Sequence, residues 1–425
     1  MKNSNKIIKS MENDLPYLEK LLQSLIECYP CYLSDGSGIK KAQAIVQREL
    51  ESYGFNVTEA NISETEIRNN PLYVKVEEWG SSFEKYSPIT NPSLIGSLVV
   101  NKNFPILALN GHIDVEPVFE PSLWKYPDLC KTGKLLDRSF YGRGSTDMLG
   151  GVAGMLFCLK HVLRSSVKPR TNLVFHSVSD EEIGGNGTLK CLIKGPKPDW
   201  AVIAEPTGLS ICGSSLGFHH FSIECIGTSV HMSQSQPDQN AIDVALEAHK
   251  RIISLRQFFS RSISSILGFE NLKINPIVCG RIVGGLDPAV PAESCVLEGV
   301  VFSSPAQTLG DVRKIFEQVL YDSPKINISL TMTGMSFPGA ISGDKLITET
   351  LIEAGKSLNC NLISEGFPSP CDMRLYTSYG VPTSIFGPGY LSNAHSANES
   401  LDRCELIKFC KVFIIFLTKF WDKVS

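Results

Sequence analysis

Apolar residues recur at helical spacing over Leu15 to Ile26 and over Ile39 to Tyr53, which predicts two amphipathic helices early in the chain. Short apolar runs at Phe55 to Ala60 and Tyr73 to Glu77 predict strands. Four later segments share one form, a continuous apolar run ending in polar, ligand-type residues: Pro105 to Asp114, Asn172 to Glu182, Trp200 to Glu205 and Val381 to Gly389. Such runs suit strands covered on both faces, and in open α/β sheets the site lies beyond their carboxyl ends. Helical patterns intervene at Met148 to Arg164 and Leu189 to Lys194. Between residues 215 and 335 the pattern changes. Strands are predicted over Phe218 to Ile226, Leu272 to Val283, Glu293 to Phe302 and Lys325 to Thr333, and helices over Ala241 to Phe259 and Thr308 to Leu320. That order, βαββαβ, is the ferredoxin-like unit. The expected fold is α/β. Residues 1–214 and 335–425 form a mixed-sheet catalytic domain, and residues 215–334 form a compact insertion between its halves.

Composition agrees with two domains, since 425 residues exceed what one core usually serves. Charges nearly balance, 40 basic against 44 acidic, so neither nucleic acid nor an anionic membrane is an expected partner. The richest apolar run, Phe409 to Trp421, is interrupted by Lys411 and Lys419 and reads as a packed terminal helix. Met1 to Asn13 lacks the apolar stretch of a secretory signal, which suggests the cytoplasm. The 13 cysteines are odd in number and scattered through apolar runs, as expected of buried, reduced thiols. Cys28 and Cys31 have redox-motif spacing, but no βαβ pattern precedes them.

The polar strand ends carry the candidate chemistry. Imidazoles and carboxylates without a dense cysteine cluster suit a divalent metal such as zinc. His112 and Asp114 lie two apart and point the same way on an extended chain. His112 could bind metal while Asp114 holds its other ring nitrogen; the alternative is a turn-capping Asp beside a surface His. Asp147 precedes an apolar helix and could equally be its N-cap. In Asp180-Glu181-Glu182, one glutamate could bind metal while the other takes a proton from water, or all three could line a solvated loop. Glu205 and His395 could be ligands, or else a turn acid and, with Ser396 to Leu401 starting the final helix, a helix-entry residue. Taken together, five ligand-type residues and a spare glutamate at strand ends point to a dinuclear centre. Gly213-Ser-Ser-Leu-Gly217 fits a nucleophile pattern, but a strand rather than a helix follows it, which argues against a serine hydrolase.

The set Gly111-His-Ile-Asp114, Gly142-Arg-Gly-Ser-Thr-Asp147, Asp180-Glu-Glu182, Glu205-Pro-Thr207 and Ala394-His395 resembles the zinc amidohydrolase family of acetylornithine deacetylase, succinyl-diaminopimelate desuccinylase, aminoacylase-1 and glutamate carboxypeptidase. The resemblance implies a zinc-exopeptidase-like catalytic domain with a ferredoxin-like lid and dimerisation domain. It implies two zinc ions per subunit, with cobalt or manganese as substitutes. His112 and Glu205 would hold one, Glu182 and His395 the other, and Asp147 would bridge them. Glu181 matches the general base, and a cis peptide is implied after Asp147. Gly227-Thr-Ser-Val-His231 resembles the lid signature in which a His from the partner subunit of a homodimer polarises the scissile carbonyl. Arg374, in Cys371-Asp-Met-Arg374, would clamp a substrate carboxylate or else form a structural ion pair. Leu149 stands where many members carry Lys, and Val301-Phe302 where several place an Arg that recognises carboxylate. The expected activity is hydrolysis of an amide bond in an N-acyl amino acid or related amine. The rivals are a di- or exopeptidase of the same family, a silent binding protein retaining the fold, and, ranked last, a redox protein using Cys28 and Cys31.

Overall fold

A computed structural model describes residues 2–31, 36–78, 86–322, 327–332, 335–343 and 345–424. The predicted strand ends converge because the apolar runs lie side by side. Ile106–His112 pairs in parallel with Asn172–Val178 on one side and with Trp200–Ile203 on the other. Thr383–Ile385 adds in parallel to Trp200–Ile203. Asn172–Val178 is buried at every position, as expected of a strand covered on both faces. Antiparallel strands Asn56–Glu59 and Leu94–Leu98 extend one edge, and Ile211–Ser215, Ala340–Ile341 and Ser364–Phe367 complete a nine-stranded mixed sheet. Helices Leu15–Ile26, Ser37–Ser52, Gly150–Leu163 and Arg403–Lys423 contribute to the large core around it. Ser145–Leu163 is apolar and long enough to cross a membrane by composition, but 89% of its apolar window is buried in that core.

The second sheet alternates instead. Gly217–Ile226 buries every other residue, including Phe221, Ile223 and Cys225, against helices Ala241–Ser254 and Leu309–Leu320. Its order is Ile277–Gly284, Ser294–Ser303, Gly217–Ile226, Ile328–Thr331, all antiparallel. These strands and helices follow the βαββαβ sequence and enclose a core of their own.

Several local expectations need correction. Tyr73 to Glu77 is not a strand; Val76–Glu78 is a short 3-10 turn. Ala241 to Phe259 is two helices that meet at Leu255. Ser396 to Leu401 does not open the last helix: Ser400–Asp402 is a strand, and Asp402 caps the helix by accepting the Glu405 N–H at 3.0 Å. That strand joins Ser139–Tyr141 and Lys134–Leu136 in a third small sheet.

Candidate metal centre and active site

The parallel strands deliver His112, the Glu181–Glu182 loop and Glu205 at their carboxyl ends, and Thr383–Ile385 leads through a glycine turn toward His395. Asp147 arrives differently, from the turn ahead of helix Gly150–Leu163. There Asp147 and Met148 leave helical dihedrals and the peptide between them is cis. Leu149, not Asp147, occupies the N-cap position, so the Asp147 carboxylate is released from capping. Gly144 makes the approach possible. It has φ +81°, and a Cβ there would lie 2.4 Å from Val115 Cγ1.

Asp147 is the centre of the arrangement. Its Oδ1 lies 3.1 Å from His112 Nε2 and its Oδ2 3.3 Å from His395 Nε2. Glu205 Oε2 stands 3.7 Å from His112 Nε2, and Glu182 Oε2 3.0 Å from His395 Nε2. Two triplets result, His112–Asp147–Glu205 and Glu116–Glu182–His395, each with its ligand-type atoms within 4.8 Å of one another. The expected five residues therefore meet, joined by an unexpected sixth, Glu116.

The donor set fits divalent cations. Glu182 Oε1, Glu205 Oε1 and Asp114 Oδ1 are buried without a hydrogen-bond partner among the described residues, an expensive state that a cation would relieve. The side chains already draw positive charge toward themselves. Burial opposes protonation of His395, but the Glu182 carboxylate and the hydrogen bond to Asp147 push it up to about 12. His112 is likewise raised against burial, by Glu205 and Asp147. Burial, partly offset by His112, pushes Glu205 up to about 7.

Asp114 acts otherwise than expected. Its backbone carbonyl, not its carboxylate, accepts from His112 Nδ1 at 2.9 Å, which leaves Nε2 to face Asp147 and Glu205. The carboxylate is 3.8 Å from that ring nitrogen and instead accepts the Glu182 backbone N–H at 3.1 Å. Asp180 also leaves the acidic trio. At φ +65° it turns inward and accepts from Asn91 Nδ2 at 2.8 Å and Tyr86 OH at 3.0 Å. Glu181 remains in the cleft, its carboxyl pushed up by burial and by the nearby Glu205 charge.

A buried clasp holds this centre together. Arg143 Nη1 donates to Glu399 Oε2 at 2.7 Å, with both side chains almost wholly inaccessible. Glu399 Oε1 accepts the backbone N–H groups of Thr146 and Asp147 at 3.0 and 3.1 Å. Arg143 Nη2 donates to the His395 carbonyl at 3.2 Å. One ion pair thus ties the Asp147 turn to the His395 loop.

The cleft beside the triplets has a volume of about 270 Å³. Acidic residues, Arg374 and His395 meet Phe218, Phe302 and Phe337 of the second sheet region across it. Arg374 is buried, donates to the Gly184 carbonyl and lies over the Phe337 ring at 4.3 Å, so it contacts both sides of the cleft. His231 stands apart: it is outside the cleft lining and exposed, and its Nδ1 pairs with Ser233 Oγ at 2.9 Å. Cys28 and Cys31 are free, buried thiols, the former pushed up to about 11 by burial.

Three participants escaped the sequence. Glu116 had a signal, because residues 112, 114 and 116 alternate onto one side of an extended chain. Arg143 and Glu399 had none, since their partnership spans 256 positions.

Comparison with known proteins supports the same picture. The sequence model of Peptidase family M20/M25/M40 matches residues 108–419. The N-formyl-4-amino-5-aminomethyl-2-methylpyrimidine deformylase of Halalkalibacterium halodurans is 25% identical over 97% of this chain and 96% of its own length. Among solved structures, human carnosine dipeptidase 1 superposes with a TM-score of 0.72 at 13% identity, covering 99% of this chain and all of its own. The Bacillus subtilis YXEP protein, described as a dinuclear metal binding peptidase, superposes with a TM-score of 0.63 at 14% identity, over 97% and 99% of the two chains. These structural likenesses establish the mixed α/β fold.

Proposed function

This chain belongs to peptidase family M20/M25/M40 and is a metal-dependent hydrolase of amide bonds; we propose that its substrate is an N-acyl amine carrying a small acyl group. The observation that carries the proposal is the single Asp147 carboxylate facing two imidazoles, with Glu181 lining the adjoining cleft. Zinc is the proposed metal at both positions, with cobalt or manganese able to replace it. Two such cations would act as Lewis acids on the scissile carbonyl and on water.

The chain's own residues divide the remaining work. His112 with Glu205, and Glu182 with His395, hold the two positions, while Asp147 serves both. Asp114 fixes the His112 tautomer through its carbonyl and steadies Glu182 through its carboxylate. Glu181 takes the proton from the attacking water and returns it to the leaving amine. His231 donates to the developing oxyanion from the partner subunit of a homodimer. Its exposure away from its own cleft favours that division, as do the exposed Val278, Ile282 and Val283 on the edge strand Ile277–Gly284. The lid and dimerisation unit is proposed as residues 215–334, and the 13 free thiols favour a reducing cytoplasm.

Substrate choice follows from the cleft walls. Phe302 lines it near the position where several relatives place a carboxylate-binding Arg, and Arg374 is already engaged by Gly184 and Phe337. Apolar, aromatic walls favour a flat or apolar amine over the free carboxylate of a dipeptide. The named activity of the Halalkalibacterium relative, removal of formyl from an aminomethylpyrimidine, is of this kind. Steady-state assays of formyl, acetyl and succinyl amines, including N-formyl aminomethylpyrimidines, against dipeptides test the proposal. Higher kcat/KM for acyl amines is expected. Faster dipeptide cleavage would assign the protein to the peptidases instead.

A further inference from the structure

We infer that Glu116 supplies a fourth protein donor to the outer cation, making that position richer in oxygen than the inner one. The inference rests on the dinuclear reading above and extends it to a residue that the family resemblance does not include. The inner triplet offers one imidazole and two carboxylates, His112, Asp147 and Glu205, all buried. The outer position has His395, Glu182 and the second oxygen of Asp147. Glu116 adds a third carboxylate there, with its oxygen within 4.8 Å of the Glu182 and His395 donor atoms.

Three observations point its carboxylate at a ligand. Glu116 lines the active-site cleft, and no hydrogen bond or ion pair joins its side chain to a described residue. Beside it, Glu182 is nine-tenths buried and its Oε1 has no partner among the described residues. The local chain path places it, because the strand ends at His112, Asp114 is held by its contacts to His112 and Glu182, and Glu116 follows two residues later with a carboxylate oxygen beside the Glu182 and His395 donor atoms. A position with one nitrogen and three carboxylates accommodates higher coordination numbers and harder ions, whereas the inner one suits tetrahedral zinc. The two positions therefore differ in donor set, with four protein donors at the outer one against three at the inner one.

The test is metal binding, read independently of turnover. Chelated full-length protein is titrated with Mn²⁺ by calorimetry, and the bound ions are followed by electron paramagnetic resonance. Parent, Glu116→Gln and Glu182→Gln proteins are compared, with circular dichroism and melting of each chelated protein as the folding control. Loss of one outer carboxylate is expected to weaken the outer Mn²⁺ by about 10- to 100-fold, the scale of disrupted metal-site support. The inner ion should be unaffected, and the exchange-coupled signal of the ion pair should be lost. If Glu182→Gln weakens the outer ion but Glu116→Gln leaves it within twofold of parent, Glu116 is not a donor and the inference fails alone. A raised KM for cationic amines in Glu116→Gln, with metal affinity intact, overturns it equally. If Glu182→Gln has no effect either, the dinuclear reading itself fails.

Discussion

Glu399→Gln probes the clasp that connects Asp147 to His395, and its cost can be worked out atom by atom. The replacement keeps the shape of the side chain. Its amide oxygen can still accept the Thr146 and Asp147 N–H groups now held at 3.0 and 3.1 Å. What it loses is the charge facing Arg143 at 2.7 Å, in a place where both side chains are inaccessible to water. Removing one partner of a buried ion pair leaves the other charge uncompensated, at a cost of about 3–5 kcal/mol. Glu399→Ala also strands two backbone donors, each worth about 1–3 kcal/mol more. Against a total stability of about 5–15 kcal/mol, the Gln variant should fold with a clearly lowered urea midpoint, and the Ala variant should be marginal. Arg143→Met should cost a similar amount, and the double variant should cost well below the sum of the singles, because each removes the same pair. The assay is urea unfolding of chelated protein, followed by calorimetric titration with Zn²⁺. The second measurement matters, since Asp147 and the His395 backbone both lean on this pair, so Zn²⁺ affinity should fall alongside stability. A Gln variant within about 1 kcal/mol of parent, or additive single and double variants, would refute this account of the clasp.

Other outcomes follow from the same geometry. Glu181→Gln should reduce kcat by about 10²- to 10⁴-fold with both metals retained, and wild-type turnover in that variant would remove Glu181 from the role of base. His231→Ala should reduce kcat by about 10²- to 10³-fold. Mixing it with Glu181→Gln should restore activity, since a hybrid dimer pairs one intact Glu181 with a His231 from the other subunit; two inactive parents that stay inactive when mixed would place His231 in its own chain's site or outside catalysis. Chelated protein should melt at progressively lower temperature as pH rises from 5 to 8. In that window Glu205 keeps its proton up to about 7 and His395 up to about 12 in the folded chain, whereas unfolded carboxylates and imidazoles release theirs earlier. Asp147, whose carboxyl is lowered by its His112 and His395 partners despite burial, has its window below the ordinary Asp range and does not reverse the trend. Bound metal should flatten or invert the slope, because ligands must be deprotonated to hold it; a rising melting temperature in the chelated protein would contradict the charge assignment.

Much of this molecule is written locally. Apolar runs that stop at His112, Glu182 and Glu205 mark strands whose ends must meet solvent or a ligand. The alternation over Gly217–Ile226 marks a sheet with one covered face. Periodicity records which face of an element is buried, so these features are legible without coordinates. Tertiary structure decided the matters that depend on distant partners. It turned Asp180 away from the centre toward Tyr86 and Asn91, although its neighbours Glu181 and Glu182 face the cleft. It gave the His112 ring to the Asp114 carbonyl rather than to the carboxylate, a choice fixed by backbone direction and not by residue type. It brought Glu116 beside Glu182 and His395, and it married Arg143 to Glu399 across 256 residues. A sequence states which groups carry charge and which must be buried. Which charges meet depends on how the strands are ordered in the sheet, and that ordering is a property of the whole chain.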